Sequence, residues 1–203
     1  DGIGNVCDDD ADNDGVVNVS WPSSSDAVAF KVYRGRSPGF LLVPANMVAI
    51  RTDLYFVDIP GADGMWYWKI VAIDNVGNEN ITSVDFGNTT IDTGAPTVSD
   101  IVVIYPTGQT AAKNLDSVTV RVNVSDTQGV DSAWIDVTQA DTLTFTNQTM
   151  TEIGVTSTNK YYEYNITTNA VGDVHATIRV YANDTARNVR NGVTKVVYVD
   201  NKI

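Results

Sequence analysis

Apolar and polar residues alternate with a period of two along most of the chain. In Ser117–Ser125, Val118, Val120, Val122 and Val124 alternate with Thr119, Arg121, Asn123 and Ser125, the pattern of a strand with one face in a core and the other in water. The same spacing picks out Val17, Val19 and Trp21; Val28, Phe30 and Val32; and Trp66, Trp68, Ile70 and Ala72. It returns in Tyr162, Tyr164 and Ile166, and in Val174, Ala176, Ile178, Val180 and Ala182. Clusters of Gly, Asn, Asp and Pro, such as residues 75–80 and 187–192, separate these segments. Short alternating strands between such turns predict an all-β chain of sandwich type with almost no helix.

A weak internal repeat divides the chain. Ala72-Ile73-Asp74 followed by Asn78 matches Ala182-Asn183-Asp184 followed by Asn188 at an offset of 110 residues, and Ile91-Asp92 matches Val199-Asp200 at an offset of 108. Two sandwiches of about a hundred residues fit that period. Gly94 and Pro96 stop the strand that ends near Ile91 and set a short, stiff linker. The expected organisation is an irregular acidic arm at 1–16, a first sandwich at 17–92 and a second at 93–203. The match of Val199-Asp200 to the linker also predicts that the native chain continues into another module.

Charge narrows the partners. Thirteen Lys plus Arg against 25 Asp plus Glu leave a net charge of −12, which repels phosphate backbones and anionic headgroups, so neither nucleic acid nor a membrane surface is an expected partner. The most apolar stretch, residues 40–50, is broken by Pro44 and Asn46, well short of the run of about 20 apolar residues that a membrane helix needs. The sequence begins at Asp1 without Met, basic n-region or apolar h-region, so a signal peptide is expected outside it. One Cys, Cys7, and one His, His175, exclude a Cys/His zinc cluster and an internal disulfide framework.

The residues of the first unit carry a resemblance. Asn18-Val19-Ser20-Trp21 resembles strand B of a fibronectin type III domain with its core Trp, Phe30-Lys31-Val32-Tyr33-Arg34 its strand C, and residues 66–77 (WYWKIVAIDNVG) its strand F. Trp66 stands where that family places the Tyr whose hydroxyl bonds back to the chain, so the corner bond is expected to be absent or replaced. No strand A is visible before strand B. Residues 92–203 resemble the immunoglobulin-like modules found in tandem in secreted and surface proteins of prokaryotes, archaea in particular. Asp92-Thr93-Gly94-Ala95-Pro96-Thr97-Val98 is similar to their linker and residues 101–105 to their first strand.

Residues 1–18, DGIGNVCDDDADNDGVVN, are similar to thrombospondin type 3 calcium repeats. Ca²⁺ takes six to eight oxygen ligands, which alternate Asp residues, a Gly turn and a backbone carbonyl supply. Read as such a loop, Asp10, Asp12 and Asp14 take the first, third and fifth positions, Gly15 the turn, the Val16 carbonyl the seventh and Asn18 the ninth. Trp21 at the twelfth position cannot ligate, so Asp8 or a neighbouring loop must close the shell. Asp1, the Ile3 carbonyl, Asn5 and Asp8 resemble the later half of a preceding loop. The resemblance implies a partner for Cys7 in a neighbouring repeat. The alternative, a solvated acidic tail, must tolerate six carboxylates between Asp1 and Asp14 with no cation between them.

Seven Asn-x-Ser/Thr triplets occur, at Asn18, Asn80, Asn88, Asn123, Asn147, Asn165 and Asn183, against about three expected by chance. Alternation puts Asn123, Asn165 and Asn183 on wet strand faces, where a glycan has room. Asn18 cannot easily serve both calcium and sugar. Asp58, Asp74, Asp92, Asp136 and Asp184 fall at strand ends and turns, where Asp is a routine turn former. No nucleophile, base and orienter assemble around His175, which alternation places outward, so no enzyme activity is expected. Trp66 and Trp68 share the core parity, which leaves Tyr67 as the one weak hint of carbohydrate contact. The leading expectation is a calcium-stabilised, N-glycosylated structural or adhesion segment of a larger extracellular protein. Its partners are other modules, neighbouring surface subunits or glycans. The alternatives are a non-catalytic accessory module of a secreted hydrolase and a filament or surface-layer subunit completed by strand donation.

Overall fold

A computed structural model describes residues 15–81, 85–138, 147–156, 158–169 and 174–200. The chain forms two compact units, Asp1–Thr93 and Gly94–Ile203. Both are β-sandwiches, and the one helical turn among the described residues is the 3₁₀ turn Pro44–Asn46.

In the first unit, β1 (Val17–Ser20) pairs with β4 (Tyr55–Asp58), and β3 (Met47–Arg51), β2 (Ala27–Gly35), β5 (Gly64–Asp74) and β6 (Asp85–Ile91) form a four-stranded sheet in the order β3-β2-β5-β6. All pairs are antiparallel. Alternation turns Val17 and Val19 from one sheet, and Phe30, Val32, Trp68 and Ile70 from the other, into a single buried cluster that also takes Trp21 and Ile91. Val28 departs from the expected inward position and is 53% exposed. The register of β2 against β5 shifts between Ala27 and Ala29, and such a bulge takes the extra residue out of the alternation. β3, in the apolar stretch around residues 40–50, lies at the edge of the sheet that faces β1 and β4.

Trp66 supplies the replacement that the sequence asked for. Its Nε1–H donates to the Ala62 carbonyl at 2.8 Å, so an indole closes the corner that a tyrosine hydroxyl closes elsewhere. The guanidinium of Arg36 lies over the same ring, 3.7 Å from its centroid, a cation–π contact. Beyond β2 the chain folds back so that Phe40 rests on Gly35. A Cβ at Gly35 would overlap both the ring and the Cβ of Phe40, so Gly35→Ala must displace Phe40. A loss of about 2 kcal/mol is expected, read as a lower thermal midpoint, and in a Phe40→Gly background, which removes the Cβ at 40 as well as the ring, the same change at Gly35 should cost less. Equal midpoints for parent and Gly35→Ala would contradict this packing.

In the second unit, β7 (Thr97–Ile104), β8 (Ser117–Ser125), β12 (Asn159–Thr167) and β11 (Thr151–Val155) make one sheet in the order β11-β12-β8-β7. The facing sheet is β10-β9-β13-β14, from β10 (Gln148–Thr149), β9 (Val130–Asp136), β13 (Val174–Asp184) and β14 (Val189–Val199). With β7, β8 and β9 as A, B and C, this is the immunoglobulin ABED and CFG arrangement with one short strand added beside C. Val118, Val120, Val122 and Val124 of β8 meet Ala133 and Ile135 of β9 and Ala176, Ile178, Val180 and Ala182 of β13 in the second buried cluster. Tyr162 is buried there too, and burial pushes its phenol up to about 12.

Candidate functional site

Of the candidate calcium ligands, Asp1, Ile3, Asn5, Asp8, Asp10, Asp12 and Asp14 lie outside the described residues. Gly15 is described, with φ +77, the left-handed backbone that a glycine turn uses. A Cβ there would come within 3.2 Å of Thr93 Cγ2. Val16 is half-buried and leads directly into β1, where Asn18 stands opposite Val57 with its side chain exposed.

The sequons divide by environment. Asn18, Asn80, Asn88, Asn147 and Asn165 are exposed. Asn165 Oδ1 accepts from Thr119 Oγ1 at 2.6 Å, which leaves its amide nitrogen, the atom that carries a glycan, outside that bond. Asn123 and Asn183, expected on open faces, are half-buried. Asn123 lies between Tyr161 and Ser99 of the flanking strands, and its Oδ1 is buried with no hydrogen-bond partner. Asn183 accepts from Ser132 Oγ at 2.6 Å, and its Nδ2 donates to Asp131 at 3.0 Å. Alternation gives the face correctly but says nothing of how cross-strand neighbours close over it.

Four of the five carboxylates expected at turns, Asp58, Asp74, Asp136 and Asp184, separate into three kinds. Asp136 is a turn former, with Oδ1 accepting from both Thr138 N–H and Thr138 Oγ1, which hold its carboxyl below the usual range. Asp58 is not. It is 5% exposed, its Oδ2 accepts from Trp68 Nε1 at 2.6 Å and its Oδ1 from Arg34 Nη1 at 2.7 Å, so one carboxylate ties β4 to β2 and β5 of the facing sheet. The signal was present in the sequence, since Asp58 shares the parity of Phe56, which packs on the core.

Asp74 and Asp184 make the third kind, one turn built twice. Asp74 N–H donates to the Asn78 carbonyl at 3.1 Å and Gly77 N–H to the Asp74 carbonyl at 3.1 Å. Likewise Asp184 N–H donates to the Asn188 carbonyl at 3.2 Å and Arg187 N–H to the Asp184 carbonyl at 3.1 Å. The third residue after each Asp has positive φ, 88 at Gly77 and 71 at Arg187. The sequence repeat is therefore a repeat of local structure. Asp74 uses both oxygens inside its own turn, accepting from Val76 N–H, Asn78 N–H and Asn78 Nδ2. Its carboxyl is held below the usual range by the Asn78 amide first.

His175 is exposed and meets Tyr198 edge-on at 4.7 Å between ring centroids. Tyr67 is half-buried. A depression of about 270 Å³ in the first unit is rimmed by Asp26, Asp74, Glu79, Asn78 and Asn80. Among the described residues no helix is long and apolar enough to cross a membrane.

No family model matches the chain, and no curated protein matches it. Among solved structures it is similar to the fibronectin(III)-like modules of Clostridium thermocellum CbhA, with 17% identity over 91% of this chain and 84% of that one and a TM-score of 0.40. It is also similar to a chimeric titin Z1Z2 tandem carrying a GRGDS peptide from fibronectin, with 10% identity over 91% of this chain and 89% of that one and a TM-score of 0.30. The fold assignment rests on the strand orders and pairings above.

Proposed function

We propose that this chain is a load-bearing structural or adhesion segment of an extracellular, cell-surface protein, in which a calcium-stiffened acidic arm precedes two sandwiches that act as spacers. The observation that carries this reading is a parallel bridge between Ala112 and Val199, the last residue of β14. Ala112 N–H donates to the Tyr198 carbonyl at 2.9 Å, and Asp200 N–H donates to the Ala112 carbonyl at 2.8 Å. Tension on the two ends of the unit pulls these parallel segments in opposite directions along their length, so both hydrogen bonds are loaded in shear and must break together. Closed cores, a net charge of −12 and exposed sequons suit a spacer that stays soluble and monomeric between its neighbours.

Calcium on the arm, held by Asp8, Asp10, Asp12, Asp14, Val16 and Asn18, with Asp1, Ile3 and Asn5 in the preceding half-loop, belongs to the same reading. Glycans belong on the exposed sequons Asn80, Asn88, Asn147 and Asn165. Protein from its natural source should be labelled by a membrane-impermeant reagent on intact cells, and glycopeptide mapping should find sugar at Asn88 and Asn165 before Asn123 and Asn183. Labelling only after lysis, with unmodified peptides at every sequon, would overturn the extracellular reading.

A second reading has its own observation. The β1 and β4 sheet has two strands among the described residues, and a strand from another chain can extend such a sheet. A filament subunit of that kind would associate with rising concentration in sedimentation, whereas a spacer stays monomeric.

A further inference from the structure

The two copies of the Asp turn differ in one respect. Asp184, at the place Asp74 holds in the first unit, is 0% exposed. Its Oδ1 accepts from Asn188 N–H at 2.8 Å, while its Oδ2 is buried with no hydrogen-bond partner. A second carboxylate stands beside it. Asp126, in the turn between β8 and β9, brings an oxygen within 4.8 Å of an Asp184 oxygen, and is itself held by Gln128 N–H at 2.7 Å and Gly129 N–H at 3.1 Å on its Oδ1. Among the described residues no salt bridge reaches either group.

Two neighbouring carboxylates repel, and burial removes the water that would screen them. A buried carboxylate oxygen with no donor costs its full desolvation, and a ligand offsets that cost. A hard cation removes both problems. Two oxygens at most 4.8 Å apart can share an ion whose ligands lie at about 2.3–2.6 Å, the calcium range. The turns that carry them are already joined by Thr185 N–H to the Gly129 carbonyl at 2.9 Å, so little chain entropy remains to be lost on binding.

We propose that Asp126 and Asp184 form a calcium site at this end of the second unit, separate from the N-terminal arm. Asp184 Oδ2 and the Asp126 carboxylate supply protein ligands, and water completes the six to eight oxygens that calcium takes. Binding pins the β8–β9 turn to the β13–β14 turn and makes the stability of this unit depend on calcium by mass action. The equivalent turn of the first unit offers no such free oxygen, because the Asp74 carboxylate accepts from Val76 N–H and Asn78 N–H on Oδ1 and from Asn78 Nδ2 on Oδ2.

The test uses the full chain stripped with chelator and titrated with calcium chloride in a calorimeter, with thermal unfolding run in parallel. An Asp10→Ala, Asp12→Ala background removes the arm's loop, so the result does not depend on whether the arm binds. In that background the proposal expects calcium binding and a calcium-dependent rise of the second unit's midpoint. Asp184→Asn, which keeps the Oδ1 acceptor for Asn188, should abolish both, and Asp126→Asn should weaken binding at least tenfold. Asp74→Asn should change neither. A second-unit midpoint that is the same in calcium and in chelator would overturn the site, as would an isotherm that Asp184→Asn and Asp126→Asn leave intact.

Discussion

Replacing Asp58 with alanine should lower the stability of the first unit by about 3 kcal/mol, the cost of removing one partner from a buried ion pair. Two groups lose their acceptor at once: Trp68 Nε1, on a side chain that is 0% exposed, and Arg34 Nη1, on a side chain that is 22% exposed. The partial exposure of Arg34 keeps the loss at the lower end, because water can reach its guanidinium. In a unit of this size the midpoint should fall by about 15 °C. Exposed pairs such as Arg51 with Asp53, at 3.2 Å with side chains 37% and 57% exposed, should cost less than 1 kcal/mol when broken. The cause can be isolated by a double-mutant cycle. Trp68→Phe removes the donor, so Asp58→Ala added to it should cost less than Asp58→Ala alone. Full additivity, or a loss below about 1 kcal/mol for Asp58→Ala, would show that this carboxylate does not hold the two sheets together.

The second large effect is expected at Ile178, which is 0% exposed in the middle of β13. Ile178→Ala removes three methyl or methylene groups from a closed core, at a cost of about 3–4 kcal/mol once the residual cavity is included. Each unit has its own buried cluster, so differential scanning calorimetry should resolve two transitions, with only the second unit's moved by Ile178→Ala and only the first unit's by Asp58→Ala. Equal shifts of both transitions by either variant would mean that the units unfold together and that the two cores are not separate sources of stability.

The fold was largely legible because period-two alternation is dictated by the pleat itself. The inward set of β8, and Ala176, Ile178, Val180 and Ala182 of β13, are buried as the sequence orders them, and Trp66 keeps its place at the corner with an indole donor in the role of a hydroxyl. Alternation failed at Val28, where a bulge inserts a residue that no propensity scale marks. It also failed to separate Asn165, which is exposed, from Asn123 and Asn183, which are half-buried, since Asn123 and Asn183 have paired residues on both flanking strands whereas Asn165 is paired only with Thr119. Asp74 and Asp136 form the turns expected of them, but the core burial of Asp58 and Asp184 was missed for a different reason. Asp at a strand end was assigned to a turn by frequency, yet Asp58 continues the parity of Phe56, and Asp184 that of Val180 and Ala182. A polar residue that keeps the core parity of its strand marks a buried polar site, and that signal precedes any structure.

Single-molecule pulling on the two ends of the chain reads its capacity to bear load. The expected record has two unfolding events, with length gains of about 250 Å for the first unit and about 350 Å for the second. The second unit should yield at the higher force, because Ala112 and Val199 are loaded in shear. Ala112→Pro, which removes the N–H given to the Tyr198 carbonyl, should lower that force by half or more, whereas Ile178→Ala, away from the bridge, should lower the thermal midpoint more than the force. A second unit that opens at the lower force, or whose force Ala112→Pro leaves unchanged, would contradict a load-bearing role.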